Sequence, residues 1–261
     1  MSLFNLIRFG MGAAALAAAC VAQAGAACSA ASPAYRQALV ELYTSEGCSS
    51  CRPADDWLAR LGASPAALRI VPLALHVDDW DGLGWRDRFA QSRFTARQNA
   101  LAARSGGGFI YTPEVAVAGR ELRNWRDPDA FERRLREIGG QPPTVDLALT
   151  VAQQGGRLAV RLAVTPRAGA PRRLGTYLAL YENGVVSDVR AGENRGATLR
   201  HERVVRQWLG PVDAPPSGAG TFEIRREWPL EHVTGGRYGV AAFVEDGAGD
   251  VLQAVDLPLC G

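Results

Sequence analysis

The most informative stretch of the sequence is Val40-Glu41-Leu42-Tyr43-Thr44-Ser45-Glu46-Gly47-Cys48-Ser49-Ser50-Cys51. The apolar run of residues 38–44, which includes the beginning of this stretch, predicts a buried strand. Residues 51–61 have the spacing of an amphipathic helix. The two cysteines therefore fall on a strand-to-helix turn, where amide groups at the start of the helix stabilise a thiolate. This placement suggests redox chemistry.

Residues 36–140 alternate strand-like and helix-like patterns, which predicts a first, α/β domain. The predicted elements follow the order β-α-β-α-β-β-α: strand 38–44, helix 51–61, strand 68–77, helix 79–104, a hairpin of 111–118 and 121–123 that turns at Gly119-Arg120, and a helix 128–139. Asp127 fits the cap of the last helix and Pro128 its first position. Gln141-Pro142-Pro143 then reads as a linker.

Residues 144–261 carry short alternating strand patterns with glycine-rich and proline-rich turns. The predicted strands are 145–151, 157–165, 175–181, 221–228, 237–245 and 251–257. Asn183-Gly184 between apolar runs predicts a hairpin turn. This part of the chain is therefore expected to form an all-β antiparallel sandwich domain.

The N-terminus has the pattern of a secretory signal peptide over residues 1–26. Arg8 is followed by an apolar run, residues 9–19, and then by small residues suited to cleavage. The run is too short to span a bilayer stably, so we expect a periplasmic or secreted protein without a stable membrane span. The competing interpretation is a lipoprotein site, in which Cys20 after Ala17-Ala18-Ala19 is lipidated.

Four cysteines remain after this cleavage, an even number in a compartment where disulfides persist. Cys48 and Cys51 form the local pair. Cys28 and Cys260 lie near the two ends of the mature chain, and chain ends of compact domains often lie close together. A Cys28–Cys260 structural disulfide is therefore a candidate, and two free cysteines near the termini are the alternative.

The net charge is +2, and every basic residue is an arginine. Acidic residues are interspersed among these arginines throughout, so there is no basic stripe to recruit nucleic acid. We therefore expect no nucleic-acid partner.

A C-x-x-C pair has three interpretations: a redox dithiol, half of a structural zinc site, or a metal-carrying pair. Structural zinc needs two further ligands at suitable spacing, and the sequence has no second C-x-x-C. A redox dithiol is favoured, with Cys48 as nucleophile and Cys51 resolving the mixed disulfide. The expected partners are protein thiols or disulfides.

The order and residues of the first domain resemble the thioredoxin superfamily. That resemblance implies an α/β thioredoxin-like domain followed by the β-sandwich, with Thr112-Pro113 as the cis-proline that faces the dithiol and Thr112 as a docking edge for a substrate strand. An ordinary edge-strand proline is the alternative. Thioredoxins also carry a buried acid that helps to deprotonate the second cysteine. Glu41 lies in the corresponding strand, one residue further from the cysteines, and a carboxylate paired with arginine is its alternative role.

A narrower resemblance covers essentially the mature chain. The stretch quoted above resembles the opening of a bacterial exported family, domain of unknown function 1223. So do His76-Val77-Asp78-Asp79-Trp80-Asp81, Gly84-Trp85, Phe94-Thr95-Ala96-Arg97-Gln98, Tyr111-Thr112-Pro113-Glu114-Val115, and Gly192-Glu193-Asn194-Arg195-Gly196 with Leu199, His201 and Val204-Val205-Arg206. The family label carries no established reaction.

His76 lies at the predicted end of the second strand, at the sheet edge where α/β folds build their sites. It is predicted either as a proton donor, as a copper ligand with Cys48 and Cys51, or as a surface histidine that caps the strand. Three functions therefore stay open: a thiol-disulfide oxidoreductase, which the residues favour, a copper-binding protein, and a non-catalytic thioredoxin-like binding module with a permanent Cys48–Cys51 bridge.

Overall fold

A computed structural model describes residues 27–62, 64, 66–106, 108–154, 156–215, 220–229 and 237–260. The predicted signal segment, with Cys20, lies outside these described residues. The described strands are β1 Ala27–Ala31, β2 Ala38–Thr44, β3 Ile70–His76, β4 Glu114–Val117, β5 Arg120–Glu121, β6 Val145–Gln154, β7 Arg157–Pro166, β8 Leu174–Glu182, β9 Val185–Asp188, β10 Thr198–His201, β11 Val204–Asp213, β12 Phe222–Pro229, β13 Tyr238–Asp246 and β14 Val251–Pro258. The described α-helices are α1 Arg52–Leu61, α2 Ser92–Arg104 and α3 Pro128–Gly139.

The strands form a large mixed sheet, a smaller antiparallel sheet and a two-stranded ribbon. The large sheet has the order β14-β13-β8-β11-β3-β2-β4-β5, the small sheet the order β1-β6-β7-β12, and the ribbon pairs β9 with β10. Strand β3 pairs in parallel with both β2 and β11, and the remaining pairs are antiparallel. The protein is therefore β-rich, with few helices.

The large sheet contains strands from both sides of the linker predicted at residues 141–143. Val204 of β11 lies opposite Ala74 of β3, and the Ala74 amide donates to the Arg203 carbonyl at 2.9 Å. Strand β1, which precedes the predicted first domain, pairs instead with β6 of the second half. The two halves of the chain therefore share backbone hydrogen bonds. No local sequence pattern predicts pairings between residues so far apart in the chain.

Two large apolar cores lie on the large sheet, and a small third cluster joins Phe89, Val185 and Val204. The first is built by β2 and β3 with α1, α2 and α3, and its members include Leu42, Leu73, Leu58, Phe94 and Phe131. The second lies between the small sheet and strands β8, β13 and β14. Strands β2 and β3 are buried along their whole length, which explains their continuous apolar runs, whereas β7 alternates buried and exposed residues. The first core positions the cysteine turn.

The helix predicted over residues 79–104 is wrong in its first half. Residues 81–83 form a single 3-10 turn that ends at Gly84, which has a φ of 104°, and α2 begins only at Ser92. Between them the chain forms a loop that is held by side-chain hydrogen bonds. The Phe89 amide donates to the Asp87 carboxylate, and the Asp87 amide donates to the Asp81 carboxylate. These local bonds replace the helical ones.

The hairpin predicted at Asn183-Gly184 is also wrong. Strand β8 pairs with β11 and β13, whereas β9 pairs with β10. Asn183 accepts the Arg203 amide through Oδ1, and Gly184, with a φ of 64°, donates its amide to Glu202. The turn therefore sends the chain out of the large sheet into the ribbon.

The hairpin near residue 119 turns one residue earlier than predicted, at Ala118-Gly119 between β4 and β5. Glycine is required there because its φ is 80° and an added Cβ would lie 2.0 Å from the Gly249 carbonyl oxygen. The cap of α3 is confirmed, since Asp127 accepts the Asp129 amide and Pro128 is the first helical residue. Cys28 of β1 is joined to Cys260 by a disulfide that ties the two ends of the described chain.

Candidate functional site

The site is centred on a disulfide at the turn between β2 and α1. Cys48 and Cys51 are bonded, with their Cα atoms 5.4 Å apart, and both residues have 0% exposure. The Cys48 amide donates to the Ser45 carbonyl, and residues 49–51 form a 3-10 turn that leads directly into α1. Gly47 leaves room for Trp80, whose Cβ lies 3.0 Å from the position of an added Gly47 Cβ.

Thr112 lies against this disulfide, and the peptide bond between Thr112 and Pro113 is cis. Thr112 Oγ1 donates to Cys48 Sγ at 3.2 Å and accepts from Trp80 Nε1 at 2.8 Å. Ser50 Oγ lies 3.3 Å from Cys48 Sγ and donates to the Thr112 carbonyl at 3.4 Å. The structure thus brings together the predicted site residues Cys48, Thr112 and Pro113, with Cys51 bonded to Cys48.

A loop from the second half of the chain holds the other side of the turn. Asn194 Nδ2 donates to the carbonyls of Glu46 and Cys48 at 2.9 and 3.1 Å. Glu193 Oε2 accepts the Ser49 amide at 3.0 Å. Both residues belong to the motif Gly192-Glu193-Asn194-Arg195-Gly196, but the sequence alone does not predict a role for them. That motif was the available signal.

The loop is seated on the Gly84-Trp85 segment. Gly192 has a φ of 69°, and an added Cβ there would lie 3.2 Å from Trp85 Cβ. Trp85 Nε1 in turn donates to Glu46 Oε2 at 2.9 Å. Trp80, Trp85 and Asn194, which come from three separate sequence motifs, therefore all lie against Glu46 or Gly47, just before the disulfide.

Behind the disulfide lies a buried cluster of ionisable side chains, His76, Asp87, Glu46, His201 and Asp55. His76 Nδ1 lies 2.6 Å from Asp87 Oδ2, and the two imidazole rings are 5.0 Å apart. His201 lies 3.6 Å from a Glu46 oxygen and 3.9 Å from an Asp55 oxygen, which is ion-pair distance but beyond hydrogen bonding. Thr44 Oγ1 donates to Asp55 at 3.0 Å.

The cluster shifts the pKa values of its members in opposite directions. Burial alone lowers the pKa of His76, but the Asp87 carboxylate outweighs burial and raises that pKa above 6.5. Burial raises the pKa of Asp87, but the His76 imidazole lowers it below 3.8 overall. For Asp55, burial is the largest effect and leaves its pKa raised. The two shifts of His76 and Asp87 both favour the charged pair, whereas the shift of Asp55 favours its protonated form.

Several polar atoms of this cluster have no hydrogen-bond partner among the described residues: His76 Nε2, both ring nitrogens of His201 and Glu46 Oε1. Asp55 and His201 line a cavity of about 150 Å³, and the exposed residues Arg52 and Arg200 line it as well. A polar cavity of this size has room for water. It connects the buried carboxylate and imidazole with the protein surface.

Glu41 lies in a different environment from the one that a proton carrier for Cys51 needs. It contacts Arg97 Nε at 2.6 Å and Tyr43 Oη at 3.3 Å, and Arg97 also contacts Glu245 at 3.0 Å. Arg97 packs over the Tyr177 ring, 4.9 Å from its centroid. Glu41 is therefore a carboxylate paired with arginine, the alternative role predicted for it.

The interpretation of His76 as a surface histidine is wrong, since only 1% of this residue is exposed. The structure also does not group His76 with Cys48 and Cys51 as copper ligands. Across residues 27–260, apart from the segments left undescribed, no three His, Cys, Asp or Glu side chains are placed to hold a metal ion. His76 is held instead by Asp87.

Glu114 lies directly after Pro113. Its Oε2 accepts from Gln98 Nε2 at 2.8 Å, and burial raises the pKa of Glu114 to about 7. A carboxyl with a pKa near neutral pH thus adjoins the cis-proline. The burial that causes this shift has no local signal in the sequence.

These features define the class of protein: a β-rich molecule of two packed sheets with a buried disulfide at a strand-to-helix turn. The chain belongs to the family described as protein of unknown function (DUF1223), which matches residues 39–245. No curated protein matches it. In the described part of the chain, no helix has the length and apolar character needed to cross a membrane.

Two solved structures share the fold. A crystal structure of a protein from Agrobacterium tumefaciens has a TM-score of 0.60 and 21% identity, and the match covers 86% of this chain and 95% of the other. HBP35 of Porphyromonas gingivalis has a TM-score of 0.67 and 16% identity, over 87% of this chain and 76% of the other. At these identities the likeness is one of fold.

Proposed function

We propose that the protein is an exported thiol-disulfide oxidoreductase with a thioredoxin-like first half. The observation that carries this proposal is the Cys48–Cys51 disulfide at the start of α1, with Thr112 Oγ1 3.2 Å from Cys48 Sγ and a cis bond to Pro113. Helix-start amides beside Cys48 and a proline edge opposite it support exchange of this disulfide with other proteins.

The exchange is a two-electron transfer. In the reducing direction, the Cys48 thiolate attacks a disulfide of the partner protein, the partner's S–S bond breaks, and one partner sulfur leaves and takes a proton. The Cys51 thiolate then attacks Cys48 Sγ, the mixed disulfide breaks, and the second partner sulfur leaves. The protein ends as the Cys48–Cys51 disulfide and the partner as a dithiol, and the reverse steps oxidise a partner dithiol.

Asp55 is assigned to the proton of Cys51. Cys51 is the N-cap of α1 with a helical backbone conformation, and Asp55 follows four residues later, so their side chains lie on one face, about 5–6 Å apart at Cβ. Asp55 is buried, and burial raises its pKa, which suits a group that alternately binds and releases a proton. His201 and the 150 Å³ cavity give this proton a route to solvent.

The partner is expected to bind along the segment before the proline. Phe109 and Ile110 are exposed by 80% and 48%, and only Tyr111 separates them from Thr112. An extended polypeptide on this edge is held by main-chain hydrogen bonds, with apolar side chains against Phe109 and Ile110. Because Cys48 is fully buried in the disulfide state, the partner must also displace side chains around the sulfur.

Insulin reduction by residues 27–261 with a thiol donor tests the proposal. Turnover above the uncatalysed rate is expected for the native chain and none for Cys48→Ala. The Cys51→Ala variant is expected to accumulate a mixed disulfide at Cys48, identified by mass spectrometry. Absence of both turnover and mixed disulfide would overturn the oxidoreductase.

One observation favours a second candidate, a non-catalytic binding module. Both cysteines have 0% exposure, and the turn is fixed by Asn194 and Glu193, as in a structural bridge. Structural disulfides of exported proteins have potentials below about −300 mV. A Cys48–Cys51 potential in that range would favour this candidate over the oxidoreductase.

A further inference from the structure

We infer that Glu193, on the loop between β9 and β10, is a positioning residue of the disulfide site, which destabilises the thiolate of reduced Cys48 and so favours the Cys48–Cys51 disulfide. The inference rests on the proposed function, because it assigns a control of the same cysteine pair. It gives the second half of the chain a part in the chemistry of the first.

The position of Glu193 is fixed by its neighbours. Asn194, which is 4% exposed, bonds to the carbonyls on both sides of Gly47, and Gly192 packs against Trp85. Between these two anchors, Glu193 Oε2 lies 3.0 Å from the Ser49 amide nitrogen. The carboxylate is therefore held at the residue that follows Cys48.

The Ser49 amide belongs to the 3-10 turn that opens into α1, where unpaired N–H groups give the helix start a partial positive charge. A thiolate at Cys48 draws its stabilisation from the same field. Glu193 neutralises part of that field and adds a negative charge at the residue next to Cys48. Its own pKa is lowered by the hydrogen bond from Ser49, so it is ionised at neutral pH.

The effect of Glu193 on the reduction potential depends on which redox state of the cysteine pair carries the thiolate. The disulfide form has no charge on Cys48, whereas the reduced form does once its thiol ionises. A group that raises the free energy of the thiolate therefore makes the pair a stronger reductant. Removal of the Glu193 charge has the opposite effect.

The test compares Glu193→Gln with the native sequence in residues 27–261. The pH dependence of iodoacetamide alkylation, measured in a Cys51→Ala background, gives the pKa of Cys48. We expect this pKa to fall by about half a unit in Glu193→Gln, the size of a charge at a helix terminus. In the native cysteine background, the equilibrium with reduced and oxidised glutathione is expected to shift about threefold toward the dithiol at a pH above that pKa.

Glu202→Gln is the matched control. Glu202 also accepts a main-chain amide, that of Gly184, at 3.0 Å, but in the turn between β8 and β9. Its replacement is expected to leave the Cys48 pKa unchanged. Glu193→Ala, which removes charge and hydrogen bond together, must shift the pKa in the same direction as Glu193→Gln and provides a second variant if the first does not fold.

An unchanged or raised Cys48 pKa in folded Glu193→Gln or Glu193→Ala overturns the inference. This measurement needs no partner protein. A native chain that reduces no insulin would overturn the oxidoreductase, whereas the pKa comparison would still decide the role of Glu193.

Discussion

The side-chain oxygen of Thr112 lies 3.2 Å from the sulfur of Cys48, although 64 residues separate them in the chain. The same oxygen accepts from the indole of Trp80, so one hydroxyl joins the segment before the cis-proline, the segment after β3 and the disulfide. This contact places the substrate edge of the proposed oxidoreductase at its nucleophile.

Replacement of Thr112 by valine is expected to lower the free energy of unfolding by about 1–3 kcal/mol, because Trp80 Nε1 loses its acceptor in a partly buried position. Urea unfolding followed by tryptophan fluorescence measures the change. Thr150→Val is the control, since Thr150 is exposed on β6. A loss of stability no larger than that of the control would show that the Trp80–Thr112–Cys48 contact is not maintained in solution.

Replacement of Asn194 by alanine leaves the buried carbonyls of Glu46 and Cys48 without their side-chain donor. We expect a loss of about 1–3 kcal/mol and faster reduction of Cys48–Cys51 by dithiothreitol, because the turn opens more readily. Stopped-flow reduction measures the rate. Asn124→Ala, on an exposed residue, is expected to change neither quantity. Equal reduction rates in Asn194→Ala and the native chain would contradict the role given to the loop.

The His76–Asp87 pair predicts a defined dependence of stability on pH. The pKa of His76 is raised in the folded protein, so its contribution is present below about 6.5 and is lost as pH rises through the folded value. The pKa of Asp87 is lowered, so its contribution is present above about 3.8 and is lost as pH falls through the folded value. The pair is therefore most stabilising between these two ordinary pKa values.

Urea unfolding of the native chain and of His76→Gln at pH 5, 7 and 9 checks this dependence. The difference in unfolding free energy between them is expected to be largest at pH 5 and to shrink toward pH 9. Arg161→Gln, at an exposed pair with Glu223, provides a control with no such trend in this range. A His76→Gln difference that is constant or grows with pH would rule out the charged pair.

Asp55 and Glu41 are two buried acids with different assigned roles, and reoxidation kinetics separate them. Asp55→Asn is expected to slow reoxidation of the dithiol by a small disulfide at pH 7 by about tenfold, because the Cys51 proton loses its acceptor. Glu41→Gln is expected to leave the rate and its pH profile unchanged, since Glu41 is paired with Arg97. If Glu41→Gln changes the profile and Asp55→Asn does not, the assignment is reversed.

The sequence allowed prediction of those features that depend on local pattern. Strand β2 matches its predicted bounds, α1 begins within one residue of its predicted start, and the cap of α3 is the Asp127-Pro128 pair. A buried strand, an amphipathic helix and a cap are each specified by neighbouring residues, so their signals survive in an isolated sequence.

The remainder depends on contacts between distant segments. The pairing of β11 with β3, and the approach of Asn194 to Glu46 across 148 residues, have no local counterpart in the sequence. The buried cluster was missed for the same reason, since His201, Asp87 and Glu46 come from three separate segments. The position of Glu41 in its strand leaves two roles open, a proton carrier or a carboxylate paired with arginine, and the residue that decides between them, Arg97, lies on α2.

The reduction potential of Cys48–Cys51 tests the central claim most directly. Equilibration of residues 27–261 with glutathione buffers, followed by alkylation and mass spectrometry, gives the value, with the Cys28–Cys260 bond monitored in the same samples. The proposed oxidoreductase predicts a potential within the range of exchange-active pairs, about −120 to −270 mV. A potential below about −300 mV, with Cys48 unreactive toward protein disulfides, would contradict it.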